Sequence, residues 1–237
     1  MKLPLVCSAV LFATIAASSA EAPPPADWAQ SVKLSASEKA TVLFNGKDLA
    51  GWKGNEKYWS VQDGVIVGKN TDENAPKAST YLVSDKKYRV FRFVFEGKLV
   101  TGETHSGVAI WGAPVAKEGD PHSYMGHLVM FPSGWGFWDL YRRNSIYKDD
   151  GRAKKAGRQH DWNQMEILAQ PPRIRFAVNG HLVADWTDPK PELCGEGPLG
   201  LQLHSNKTAE EVQFRGLILS ENPEDRMATV SEAAPTK

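Results

Sequence analysis

Phe91-Arg92-Phe93-Val94-Phe95-Glu96 sits inside a longer stretch, Tyr88 to Leu99, that reads as one strand. Successive side chains of an extended chain point to opposite faces. Phe91, Phe93 and Phe95 therefore share one side, and Arg92, Val94 and Glu96 share the other. An aromatic face beside a charged one is the pattern of a strand whose sheet is buried on one side.

The same period recurs downstream. Arg173 to Val178, then Asn179-Gly180, then His181 to Trp186 reads as a hairpin, because Asn-Gly supplies the two positive φ angles of a type I′ turn. Gly107–Trp111, Leu128–Phe131, Gln164–Ala169, Leu199–His204 and Val212–Leu219 are further predicted strands, separated by Gly, Asn and Asp. Beyond the N-terminal region no apolar run of helical period exceeds two turns, and Ser35 to Ala40 is expected to form at most one turn. Many short strands with turn signals between them predict a single all-β domain, a sandwich or jelly roll.

The ends read differently. Lys2, the apolar stretch Leu3 to Ala17 and the small residues Ser18-Ser19-Ala20 form a signal-peptide pattern over 1–20, too short to serve comfortably as a membrane span. Cys7 lacks the small residue before it that a lipobox requires. Residues 21–40 read as a Pro-rich leader, 41–220 as the sandwich and 221–237 as a polar, mobile tail. The expected location is therefore outside the cytoplasm, periplasmic or secreted, with no membrane span in the mature chain.

After processing Cys194 is the one cysteine left, so no internal disulfide is expected and stability rests on packing. Lys plus Arg equals Asp plus Glu at 28 each, which gives no electrostatic footprint for nucleic acid or an anionic membrane. The six histidines lack an H-x-x-x-H spacing and no cysteine cluster accompanies them, so neither a zinc site nor another cofactor is indicated. A Ca²⁺ site built from carboxylates and carbonyls would leave little trace in sequence.

Eight Trp are many for 237 residues. Sugars stack their C–H faces on aromatic rings and need polar groups around the ring edge. Phe131-Pro-Ser-Gly-Trp-Gly-Phe-Trp-Asp-Leu-Tyr-Arg-Arg-Asn144 offers both kinds of group. Trp52, Trp59 and Trp186 read as core residues; Trp135 and Trp138 fit a core or a sugar platform equally well.

Two bookends frame the body: Leu43-Phe-Asn-Gly-Lys-Asp-Leu-Ala-Gly-Trp52 with Trp59-Ser-Val-Gln-Asp-Gly-Val-Ile-Val-Gly68, and Gly197-Pro-Leu-Gly-Leu-Gln-Leu-His204 with Val212-Gln-Phe-Arg-Gly-Leu-Ile-Leu219. Together they resemble the 3-keto-disaccharide hydrolase domain family, over roughly Thr41 to Leu219. The resemblance implies a concanavalin A-like jelly roll and a carbohydrate partner. It also implies a chemistry in which a ketone at sugar C3 acidifies the C2 hydrogen, so that a base, a donor or cation at the C3 oxygen, and an acid at the glycosidic oxygen are needed. Asn163 and Glu166 match a Trp-Asn-x-x-Glu segment, Gln202 and His204 a Leu-Gln-x-His strand, Arg215 a Phe-Arg pair, and Glu96 an acidic strand end.

Departures accompany the match. His105 and Trp111 stand where the family pattern has Asn and Arg, and Leu128 and Met130 where it has Glu and Gln. Either His105, His127 and Asp139 take over, or the chain binds without turnover. The expected catalytic residues are His204 and Glu166. The expected substrate-binding residues are Gln202, Arg215, Trp111, Trp135, Trp138, Asp139, His105 and His127. The leading function is cleavage of 3-keto glycosides; the alternatives are a non-catalytic carbohydrate-binding module and a structural or interaction domain.

Overall fold

A computed structural model describes Val32 and residues 34–230. The signal-peptide reading of residues 1–20 falls outside the described residues. Two antiparallel sheets pack face to face in a jelly-roll sandwich, as the strand spacing predicts.

The back sheet runs β13 (His181–Thr187), β12 (Arg173–Val178), β11 (Asn163–Gln170), β6 (Phe91–Thr101), β15 (Glu210–Glu221), β4 (Val65–Asn70) and β3 (Trp59–Gln62), with β1 (Ala40–Val42) also paired to β15. The front sheet runs β10 (Asn144–Lys148), β9 (Gly136–Asp139), β8 (Asp120–Phe131), β7 (Ser106–Lys117), β14 (Gly197–Leu203), β5 (Thr80–Tyr88) and β2 (Trp52–Lys53). A short helix α1 (Arg152–Ala156) crosses between β10 and β11. Among the described residues no helix is long and apolar enough to cross a membrane.

The alternation that marked β6 decides what lies between the sheets. Phe91, Phe93 and Phe95 are fully buried there, with Phe93 stacked on Phe95 at 4.8 Å and Phe95 edge-on to Phe131 of the front sheet at 5.8 Å. From β14, Leu199, Leu201 and Leu203 point into the same core. The Asn179-Gly180 turn has φ of 48° and 83°, both positive as a type I′ turn demands, and pairs Val178 with His181. Ser35 to Glu38 makes a single turn closed by the Glu38 N–H on the Ser35 carbonyl at 3.0 Å.

The segment after Ser220 departs from its sequence reading. Through Val230 it lies along the outer face of the back sheet. Arg92 on β6 donates to the Arg226 carbonyl (2.8 Å) and the Glu224 carbonyl (3.2 Å). Glu166 on β11 accepts from the Ala228 N–H (2.9 Å), the Thr229 N–H (2.8 Å) and the Thr229 hydroxyl (2.7 Å). Arg92 also bridges Glu166 and Glu38, the latter through two 2.9 Å bonds, and all three side chains are buried. A buried charge must be paired, and this triad pairs by clasping Glu38 and the segment 224–229 onto the sheet.

Candidate functional site

The groove is made by the outward alternate positions of the front sheet. Tyr81 on β5, Gln202 on β14, Tyr124 and Leu128 on β8 and Trp138 on β9 all point away from the core. Gly200 on β14 lets the two tyrosines close over it; a Cβ there would sit 3.1 Å from both rings, whose centroids are 5.5 Å apart. Ser79, Ser123, Leu140, Arg143, His105 and His204 complete a cavity of about 210 Å³. That is small beside a drug-sized pocket and suits one sugar ring rather than an oligosaccharide.

Its polar groups are held from behind. The Gln202 amide donates to the Tyr81 hydroxyl at 3.0 Å, and the Ser106 hydroxyl locks the Gln202 carbonyl at 2.7 Å. Tyr124 spends its hydroxyl on the Pro198 carbonyl at 2.6 Å. The Gln202 side-chain oxygen and His204 Nδ1 are buried without a partner among the described residues, where buried polar atoms are normally paired.

The histidines define the electrostatics. His105 and His204 meet edge to face with ring centroids 4.8 Å apart. Burial, then the charge of His204, pushes His105 down to about 4. Burial also lowers His204, with the Arg143 cation acting the same way against a hydrogen bond at Ser205. Both rings are therefore neutral at pH 7. Behind them Glu210 accepts from the His204 backbone N–H (3.3 Å) and the Asn206 side chain (2.7 Å), and burial raises its carboxyl to about 8.

Of the residues expected from sequence, the structure brings His204, Gln202, His105 and Trp138 into this groove. Several others lie elsewhere, for physical reasons. Glu166 and Arg215 point out from the back sheet, on the far side of the sandwich from His204. Glu166 clasps the C-terminal segment, while Arg215 pairs with Glu96 at 2.6 Å and lies 4.0 Å over the Trp162 ring. Asn163 ties the loop before β11 by accepting from the Arg158 N–H and donating to the Arg158 carbonyl, each at 2.8 Å. The Trp-Asn-x-x-Glu segment thus serves the framework.

Simple alternation would turn Trp111 outward, but its φ of 53° and the register shift between Ile110 and Ala113 turn it inward. There it is buried and its indole donates to the Arg89 carbonyl at 2.8 Å. His127 is interior, 2.6 Å from Asp188, because it alternates with outward Leu128. Asp139 is interior too and caps its turn, accepting from the Tyr141 N–H (2.9 Å) and Arg142. Trp135 packs on Phe176 with centroids 6.3 Å apart and joins the core rather than the groove.

Sequence reasoning missed Tyr81, Tyr124 and Glu210 as site residues, and included Arg143 in the 131–144 segment without singling it out. Alternation across β5 would have placed Tyr81 outward had that strand been recognised. Arg143 carries no such signal: it follows Arg142, which turns to Asp139, and its own φ of 59° sets it into the groove.

With this geometry in hand the kinship is plain. Residues 39–219 match the 3-keto-alpha-glucoside-1,2-lyase-like domain, and the chain belongs to that family. By that membership it is a carbohydrate-related domain. Two crystal structures from Parabacteroides distasonis, both named as candidate glycosyl hydrolases, share the fold. One superposes with a TM-score of 0.55 at 19% identity over 77% of this chain and 93% of its own. The other gives 0.53 at 18% over 76% and 98%. No curated protein matches the chain.

Proposed function

We propose that the front-sheet groove binds the 3-keto glucosyl ring of a glycoside and cleaves it by elimination followed by hydration. The observation that supports this best is the pair of histidines converging on the groove, with a buried Nδ1 on His204 that has no partner among the described residues.

On this reading His204 Nδ1 takes the C2 proton, and the electron pair moves to the C3 oxygen as an enolate. Arg143, the cation of the groove, stabilises that oxygen. The enolate collapses, the C1–O bond breaks, and the imidazolium returns its proton to the departing oxygen, which leaves as an alcohol. Water then adds across the enone, hydroxyl to C1 and hydrogen to C2, giving the free 3-keto sugar. Trp138 offers the ring a stacking face, and Gln202 supplies an acceptor for a hydroxyl.

Incubation with 3-keto-sucrose or 3-keto-trehalose, followed by mass spectrometry in D₂O, should show cleavage with deuterium at C2. His204→Ala should lower turnover by about two to four orders of magnitude, the scale of a lost general base, without unfolding the protein. Full activity in that variant would refute the assignment of the base. Among the described residues the groove lining contains no carboxylate, which favours a second reading as a binding module. Tight binding with no turnover by the wild type on any 3-keto disaccharide would establish that reading instead.

A further inference from the structure

Away from the groove, inside the opposite face of β8, three side chains from distant parts of the chain converge. His127 (β8), Asp188 (just after β13) and Cys194 (after a 3-10 turn, Pro191–Leu193) each offer a ligand atom, all within 4.8 Å of one another. We propose that these three residues form a zinc site that staples the 188–194 loop to the front sheet.

The donor set is an imidazole nitrogen, a thiol sulfur and a carboxylate oxygen, a combination that selects zinc over calcium or magnesium. Exposure is 0% for His127, 3% for Asp188 and 1% for Cys194, so any ion there is screened from water. With thiolate and carboxylate together a divalent ion leaves no net charge, the condition for burying it.

Bonds of about 2.0–2.3 Å to a tetrahedral ion place ligand atoms about 3.3–3.7 Å apart. Asp188 and His127, now 2.6 Å apart, would open by under 1 Å, and the thiol would close in by a similar distance. The Lys190 carbonyl, 3.9 Å from the Cys194 sulfur, is the oxygen beside the thiol that could serve as a fourth ligand.

One further observation fits this assignment: the loop is pre-shaped. The Asp188 N–H donates to the Pro172 carbonyl (2.9 Å), Asp188 accepts from the Lys190 N–H (2.8 Å), and the Cys194 N–H donates to the Pro191 carbonyl (3.0 Å). These bonds fix the carboxylate and the thiol before an ion arrives, which limits the ordering cost of binding.

Titration of the full chain with Co²⁺ should saturate at one ion per chain and produce a thiolate-to-cobalt charge-transfer band in the near ultraviolet. Zinc should displace the cobalt and, at about a hundredfold excess over its Kd, raise the melting temperature by roughly 5–10 °C. Cys194→Ser should remove the band. If that variant does not fold, Asp188→Asn should weaken cobalt binding at least tenfold. A wild type that shows neither band nor zinc-dependent melting shift overturns the proposal, as does a band that persists in folded Cys194→Ser.

Discussion

Replacing Glu166 by Ala tests whether this residue belongs to the framework or to the chemistry. In the folded chain its carboxylate is buried, pairs with Arg92 and accepts two backbone N–H groups and one hydroxyl from Ala228 and Thr229. Removing one partner of a buried pair costs about 3–5 kcal/mol, mostly because the surviving charge is left unpaired. Arg92 is not wholly abandoned, since it keeps two 2.9 Å bonds to Glu38 and two carbonyl acceptors. The lower end, about 3 kcal/mol, is therefore the expected loss, or roughly 6–12 °C in melting temperature for a domain of this size. Differential scanning calorimetry reads it directly. Proteolysis should also cut the released C-terminal segment faster. Turnover of a 3-keto disaccharide, measured well below the new melting temperature, should stay within about twofold of wild type. A variant that melts normally but has lost turnover by two orders of magnitude would refute the framework role and return Glu166 to the active site.

Trp138→Ala should weaken sugar binding at least tenfold with little change in melting, whereas Trp135→Ala should cost about 3 kcal/mol and leave binding nearly intact; a binding titration beside a thermal melt separates them. Glu210 is protonated in the fold up to about pH 8 but ionises near 4.5 when unfolded, so the stability it contributes is present in acid and lost as pH rises through that window. His105 works oppositely: its depressed value adds stability that grows from about pH 4 to 6.5 and is constant above. Below about 6.5 the two offset, and from about 6.5 to 8 the Glu210 loss should show as a falling denaturation midpoint. Glu210→Gln should abolish that fall, and a slope unchanged in the variant would show that Glu210 is not its source.

The fold was legible because burial on one face imposes a period of two that few other constraints disturb. Phe91, Phe93 and Phe95 could be assigned to the core from their spacing alone, and so could the leucines of β14 opposite Gln202. Asn179-Gly180 was legible for a different reason: it is one of the few dipeptides that take two positive φ angles at little cost. The C-terminal segment was misread because its composition is polar and carries Pro223, while its order comes from backbone N–H groups reaching a carboxylate some sixty residues away in sequence. Backbone donors have no compositional signature.

Four of the ten expected site residues, His204, Gln202, His105 and Trp138, line the groove, and the others lie elsewhere for physical reasons. His204 and Gln202 follow from alternation on an unbroken strand, and His105 from the extension of β7. Trp111 lies at a point where alternation is interrupted, by a positive φ and a register shift that the residue type does not announce. Glu166 and Arg215 failed because a recurring motif records that a residue is needed, not what needs it. Here the need is a buried guanidinium and the clasped segment at Ala228 and Thr229 on one hand, and an ion pair beside an indole on the other. Residues that hold a sandwich closed and residues that line its groove can be equally invariant in type while lying on opposite sheets. Strand parity tells which face a residue takes within its own sheet. Only the order of strands tells which sheet, and that order is set by pairings such as β6 with β11 and β15 that no local pattern contains.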